Sequence, residues 1–393
     1  MILLYRNTGV DIATINLVWT FGFFGFMVGS LATSFVFKEY VKSEKAKLSF
    51  LASTICVTGV RKYKYLFPNN LTFLILQIIM IFLPFTSSFA LLAIARLLQI
   101  MALGAFCTAD ASLIVYLLGP EKSRPFTMAF HALIGAGFLA ATFLVRPFLP
   151  ESGDKDTDEI CGRTNFTKAP DDMKIESSSA DDALIPTIAW PFIISGAWCV
   201  IFSIGFLILA KLPYKMPRFY DGEDSADGKD LPDKDIKYWK VFLVVVFFYY
   251  FISCGIERIY QPMAFTFGIC GPLALAPREA VVIDSCYNGG FMCGRLVSAL
   301  IAAFLAPRNM ILMSLITCIG AAVFLCIKGG SSAMSLYIGT AVLGFFISWQ
   351  FGSCFSWVAK KKNITGRLSS IFFIGCGFGS LVTPPLSGFF FTR

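Results

Sequence analysis

Apolar residues occur along this chain in long runs, and shorter polar stretches separate them. A helix needs about 20 mostly apolar residues to cross the hydrocarbon of a bilayer, and runs of that length recur throughout the sequence. The pattern therefore predicts an all-α membrane protein with about ten transmembrane helices. We place them at residues 12–37, 68–86, 88–118, 126–148, 186–210, 240–265, 280–306, 309–327, 332–358 and 368–391.

Two parts of this pattern are ambiguous. The second and third predicted helices share one apolar run, which we divide at residues 84–88 because its length fits two helices and a tight turn better than one span. The apolar segment 47–60 is too short to cross a bilayer, and basic residues lie at both of its ends. We expect it to be an interfacial or inserted piece.

The composition agrees with a membrane protein, since 56% of the residues are hydrophobic and only 15% are charged. The net charge of +8 reflects lysines and arginines beside the spans, which mark the cytoplasmic side, so it does not indicate nucleic-acid binding. Most of the twelve cysteines lie in apolar runs and show no CxxC spacing, which gives no sign of a metal site. Cys161 and Cys270 fall in predicted loops on one side, so a bridge between them stays open.

Basic residues set the orientation of the predicted helices. They cluster in the loop between the first two spans and in the loop between the last two, which places both loops in the cytoplasm. The acidic loop 151–183 then lies outside. It carries the sequon Asn165-Phe166-Thr167, which makes Asn165 a candidate glycosylation site.

A polar segment rich in Asp, Gly and Pro divides the ten spans into five and five. We predict an N-terminal transmembrane half at 1–210, a cytoplasmic connector at 211–239 and a C-terminal transmembrane half at 240–393. Two equal halves are typical of transporters that rock around a site near the bilayer midplane. The count places both termini outside, so we expect the first and the twelfth helix of a six-plus-six arrangement to be missing.

Several short motifs extend this interpretation. The stretch SRPFTMAFH at 123–131, GRL at 294–296, ITGR at 364–367 and the glycines at 375 and 379 resemble, in order and spacing, helices five, eight and eleven of the sodium-dependent glucose transporter 1 family. That family belongs to the major facilitator superfamily. The resemblance implies a plasma-membrane symporter that moves glucose or a related small polar solute, with Na+ as the coupling ion. The residues themselves point to no cofactor and to no obligate protein partner.

The chain departs from that family at two places. Gly22 is followed by Phe23 where a Gly-Arg pair is expected, and Cys107 and Ala111 replace an acid and an amide in the fourth helix. These departures leave both the solute and the ion open, and H+ is the alternative to Na+.

Polar residues inside the N-terminal spans are candidates for the transport pathway, because such residues need a partner or a water-filled cavity. Arg96 is a candidate gating charge, although its stem could also reach the interface. Gln99 shares a helix face with Arg96 and could bind a sugar hydroxyl or bond another helix. Asp110 could accept a cation or pair inside the bundle. His131, the only histidine, could titrate with the ion or make a structural hydrogen bond.

The seventh and eighth helices supply further candidates. Glu257 matches the family's Gly-x-Glu pattern and is the main candidate for a cation-binding carboxylate. Adjacent helical residues point about 100° apart, so we expect Arg258 to be a poor partner for it. Gln261 lies one turn further on the same face. Asn288 could reach the solute, and Arg295 resembles part of an inner gate.

In the tenth helix Trp349 and Gln350 form a candidate sugar-contacting pair, because an aromatic face packs on a pyranose while an amide binds its hydroxyls. The alternative for Trp349 is a role in packing or at the membrane interface. The glycines Gly22, Gly25 and Gly29 are predicted to permit close helix contact.

Other classes of function compete weakly with transport. The sequence contains no HExxH, GxSxG or phosphate-loop motif, which argues against an enzyme. A solute sensor that does not transport, an incomplete or degenerate transporter, or a transporter of a different small organic solute remain alternatives.

Overall fold

In the computed structural model the described residues are 12–40, 81–86, 88–149, 189–211, 238–302, 304–359, 361 and 366–391. They form helices and turns, and these residues contain no β-strand. The α-helices among them are α1 (Ile12–Tyr40), α2 (Phe89–Val145), α3 (Trp190–Lys211), α4 (Trp239–Cys270), α5 (Pro277–Ile301), α6 (Pro307–Lys328), α7 (Ala333–Ala359) and α8 (Gly366–Phe391).

Most helix ends lie within a few residues of the predicted spans. Prolines begin α5 and α6 at the first helical turn, where the missing N–H costs nothing. The prediction of two separate helices at 88–118 and 126–148 was wrong, because one helical segment runs from Phe89 to Val145. At about 1.5 Å per residue this segment is about 85 Å long. It therefore has about the combined length of the two predicted spans. The segment 47–60 lies outside the described residues.

Glycine lets neighbouring helices approach backbone to backbone. A Cβ atom at Gly25 or Gly29 of α1 would overlap a carbonyl oxygen of α2, at Leu97 and Met101 respectively. Gly290 and Gly294 of α5 stand equally close to the backbone of α7. The predicted role in close helix contact is therefore confirmed for Gly25 and Gly29, and small residues fix these pairs of helices.

The main apolar core lies between α4, α7 and α8. Tyr250 and Phe372, both fully buried, stack with their ring centroids 5.1 Å apart. The Tyr250 hydroxyl donates to the carbonyl of Phe351 at 3.0 Å, which satisfies its polar end. A second core cluster, around Ile283 and Leu336, joins α4, α5 and α7.

Helices from before and after the 212–237 segment pack on each other. Helix α2 packs on α5, and α1 packs on α8. Between α2 and α5 the Ser285 hydroxyl donates to Thr142 Oγ1 at 3.1 Å. Because α2 and α5 are far apart in sequence, this contact brings together residues of the two predicted halves.

The surface of the bundle is apolar. In α6 the exposed side chains Leu312, Ile316, Ile319, Val323 and Ile327 follow one another at helical spacing. Among the described residues, three helices are long and apolar enough to cross a membrane: Trp239–Cys270, Pro307–Lys328 and Ala333–Val358. An apolar exterior over polar interior contacts is the arrangement that a bilayer favours.

Cys270, at the end of α4, is disulfide-bonded. Eight other described cysteines are free, so none of those eight is its partner. Cys161, with which the sequence left a bridge open, lies outside the described residues.

Candidate functional site

Polar side chains meet where α4, α5 and α7 converge. Gln261 Nε2 of α4 donates to Asn288 Oδ1 of α5 at 2.8 Å. One residue earlier on α4, the Tyr260 hydroxyl lies 2.7 Å from Thr340 Oγ1 of α7. Asn288 and Thr340 are buried, at 4% and 0% exposure. Two hydrogen-bonded polar pairs therefore lie side by side inside an apolar bundle, and we call these four residues the polar cluster.

A proline and an aromatic stack support the polar cluster. Pro262 follows Gln261 directly, and its ring leaves the carbonyl of Arg258 without the usual helical donor. The Tyr260 ring stacks on Tyr287 of α5 with centroids 5.4 Å apart. The Tyr287 hydroxyl is buried and has no hydrogen-bond partner. The cluster thus adjoins a helix irregularity and an unsatisfied hydroxyl, both of which are usual beside a binding site.

Glu257 pairs with its neighbour, contrary to our expectation. Its Oε1 lies 3.7 Å from Nη2 of Arg258. Both side chains are long enough to bend toward each other across the 100° that separates them on the helix, which the angular argument neglected. The Arg258 guanidinium also lies 6.0 Å from the ring centroid of Phe138 on α2, at the limit of a cation–π contact. Glu257 is therefore engaged in an ion pair.

Arg295 lies on the inward face of α5 and is only 3% exposed. Its guanidinium carbon is 5.0 Å from the ring centroid of Phe291 and 6.0 Å from that of Phe351 on α7. Nε and Nη1 have no hydrogen-bond partner. The residue predicted as an inner gate is thus a buried cation held by aromatic rings.

Arg96 and Gln99 are brought together as their spacing predicts. Arg96 Nη1 donates to Gln99 Oε1 at 2.6 Å on α2. The amide oxygen of Gln99 is engaged by that bond, so a solute at this point would meet its NH2 group. The two side chains therefore form one hydrogen-bonded pair, and their predicted roles as gate and solute ligand stay predictions.

Trp349 and Gln350 do not form one surface. Trp349 is 3% exposed and packs on Phe345 and Phe346, with centroids 5.8 and 5.2 Å away. Gln350 instead turns toward α6, where its Nε2 donates to Cys318 Sγ at 3.6 Å. The Trp349 indole N–H is buried without a partner. The pair therefore supplies one unsatisfied donor and one amide on different sides of α7.

Three predicted residues cannot be located relative to the polar cluster. The side chains of Asp110 and His131 lie outside the described residues, as does Asn165 with its whole loop. Their predicted roles stay predictions.

Sequence reasoning missed the two hydroxyl groups of the polar cluster, Tyr260 and Thr340, and also the neighbouring hydroxyl of Tyr287. Tyrosine and threonine are common in membrane helices, so their presence alone carries little information. The adjacency of Tyr260 to Gln261 and Pro262 was the one local signal. Hydroxyls and amides that share one buried space can bind a neutral polyhydroxyl solute, because each can both donate and accept hydrogen bonds.

The structure as a whole resembles solved transporters. The outward conformation of the major facilitator superfamily transporter FucP matches with a TM-score of 0.55 and 15% sequence identity, covering 99% of this chain and 86% of that one. A variant of the E. coli fucose:proton symporter FucP matches with a TM-score of 0.57, the same identity and the same coverage. The fold is that of the major facilitator superfamily transporters, and the chain is a multi-pass membrane protein.

Sequence comparisons agree with that fold. Sodium-dependent glucose transporter 1 of Danio rerio is 26% identical over 301 residues, covering 74% of this chain and 47% of the relative. Sodium-dependent glucose transporter 1A of Mus musculus is 26% identical over 321 residues, covering 78% and 70%. Major facilitator superfamily domain-containing protein 4A of Xenopus tropicalis is 21% identical over 366 residues, covering 82% and 72%. No family model matches. The chain spans about half of the length of the Danio rerio relative.

Proposed function

We propose that this protein is a secondary transporter that moves a hexose or a related small polar solute across the plasma membrane by alternating access, with Na+ as the coupling ion. The polar cluster carries the proposal. Its two amides and two hydroxyls lie inside an apolar bundle, where polar groups are costly and therefore tend to be functional.

The position of Asn288 beside the contact between the two predicted halves also supports transport by alternating access. Helices of both predicted halves meet along α2 and α5, and Asn288 lies one turn beyond Ser285, which bonds to α2. A solute held by Asn288 would therefore lie beside the contact between the halves. In alternating access the two halves rock against each other around the bound solute, so contacts between the halves must break and re-form.

The relatives support the choice of solute and ion. Two of them are named as sodium-dependent glucose transporters, and a structural neighbour is named as a fucose:proton symporter. For this chain, a hexose as solute and Na+ as coupling ion are part of the proposal, with H+ as the other ion.

The test is uptake of radiolabelled glucose into proteoliposomes, with and without an inward sodium gradient. We expect Asn288→Ala to raise KM about fivefold, the equivalent of one lost hydrogen bond of about 1 kcal/mol, with a smaller change in kcat. The matched control is Asn309→Ala, because Asn309 is exposed in the first turn of α6. Absence of flux in the wild-type protein for glucose, fucose and other hexoses would refute the proposal and favour a sensor or a different solute.

A second variant examines the ion pair. Glu257→Gln leaves Arg258 without its 3.7 Å partner. If Glu257 binds the ion, sodium-driven uptake is lost while exchange without a gradient continues. If the pair is only structural, both activities fall together with the amount of folded protein.

A further inference from the structure

Asp284 lies on the inward face of α5. At about 100° per residue it is about 180° around the helix from Cys293, which is exposed. Leu300, which is 71% exposed, also lies nearly opposite to it. The buried residues Asn288 and Arg295 lie within about 40° of Asp284. The carboxylate therefore points away from the apolar surface of the bundle and into the same stripe as the polar cluster.

One oxygen of this carboxylate has no partner. Oδ1 of Asp284 is buried and makes no hydrogen bond within the part of the chain that the structure describes. Glu257, by comparison, is paired with Arg258. The residue as a whole is only partly buried.

The groups around this part of α5 leave the negative charge of Asp284 uncompensated. Among the described residues none of them forms a salt bridge to it. Tyr260 of α4 is engaged with Thr340 at 2.7 Å, and the Tyr337 hydroxyl of α7 donates to the carbonyl of Glu279 at 3.3 Å. The other charged groups near this end of α5 are Arg278, Glu279 and, in the 3-10 turn after α2, Arg146.

An ionised carboxylate in such a place is stabilised when a cation or a proton neutralises it. We infer that Asp284 is the acceptor for the coupling monovalent cation, which is a sodium ion or a proton. It lies one turn from Asn288, so a cation bound there changes the charge beside the polar cluster. The coupling role rests on the proposed function, whereas cation binding at Asp284 does not.

Cation binding is tested on the purified full chain without any solute. Thermal unfolding is followed in sodium chloride and in choline chloride at equal ionic strength, and in choline over a pH series. An ion that binds only the folded state raises Tm, here by about 2–4 °C. We expect a rise in sodium if the ion is Na+, or on acidification without sodium if it is H+. The Asp284→Asn variant should lose that response.

The matched control is Glu279→Gln, because Glu279 is an exposed carboxylate on the same helix. This variant should keep the wild-type response. A wild-type protein whose Tm follows neither sodium nor pH would overturn the inference, and so would an Asp284→Asn variant that responds as the wild type does. If Asp284→Asn does not fold, Asp284→Glu replaces it, with an expected shift of at least about threefold in the half-saturating cation concentration. An unchanged value would overturn the inference.

Transport separates this inference from the proposed function. In proteoliposomes Asp284→Asn should lose about tenfold or more of the gradient-driven accumulation of hexose while it retains exchange of hexose at equal concentrations. Accumulation at the wild-type level would refute the coupling role. A wild-type protein that moves no hexose refutes the proposed function, while its Tm response to cations still decides whether Asp284 binds one.

Discussion

The contact between α4 and α8 should depend on the absence of a side chain at Gly379. A Cβ atom there would overlap the carbonyl oxygen of Phe251 and lie 3.0 Å from the backbone nitrogen of Gly255. Both neighbours are backbone atoms of α4 and cannot rotate away, so Gly379→Ala must push the two helices apart. The tightest part of the interface between α4 and α8 would then lose its packing.

Overpacking of this kind costs about 1–3 kcal/mol, which is about 5- to 160-fold in the unfolding equilibrium constant. Gly320→Ala is the matched control, because Gly320 also lies in a helix of the C-terminal region and a Cβ there meets nothing within 4 Å. The assay is reversible unfolding of the purified protein in mixed micelles with increasing SDS, followed by tryptophan fluorescence. Gly379→Ala should unfold at a clearly lower SDS fraction than Gly320→Ala.

Equal unfolding midpoints for the two variants would refute the reasoning, because they would mean that α4 and α8 do not approach at this glycine. Loss of stability in both variants would also contradict it, since the cost would then come from alanine in any membrane helix rather than from this contact.

Three further predictions follow from individual contacts. Tyr260→Phe removes the 2.7 Å bond to the fully buried Thr340 and should lower the unfolding free energy by about 0.5–1.5 kcal/mol; an unchanged SDS midpoint would contradict this. Arg295→Met removes a buried guanidinium with two unpartnered nitrogens, so stability should be equal or higher while uptake slows without a change in hexose preference, as competition assays would reveal. Because Cys270 is disulfide-bonded, non-reducing peptide mapping should recover it joined to Cys161, and a different partner would refute a bridge between these two cysteines.

The predicted spans succeeded where the signal was local. Helices α4, α6 and α7 begin and end within a few residues of their predicted bounds, since each apolar run ends at a polar or proline-rich stretch. Among the described residues the error in segmentation lies across α2, where the polar stretch 119–125 between the two predicted spans stays helical.

The candidate site was predicted less well, because most of its contacts join residues on different helices. Gln261 and Asn288 were both singled out, but their mutual hydrogen bond was not foreseen. Arg96 and Gln99 lie on one helix three residues apart, so their contact followed from spacing alone. Glu257 was singled out as a cation-binding carboxylate, and only the structure revealed its ion pair with Arg258.

The sequence by itself determined that the chain is a helical membrane protein with polar residues inside its apolar helices, because hydrophobic length and charge are properties of contiguous residues. Only the tertiary structure decided which polar groups meet. Gln261 and Asn288 are 27 residues apart, and Tyr260 and Thr340 are 80 apart. Such pairings depend on how each helix is rotated and how closely it packs, which the backbone contacts at glycines such as Gly290 and Gly294 set between distant parts of the chain.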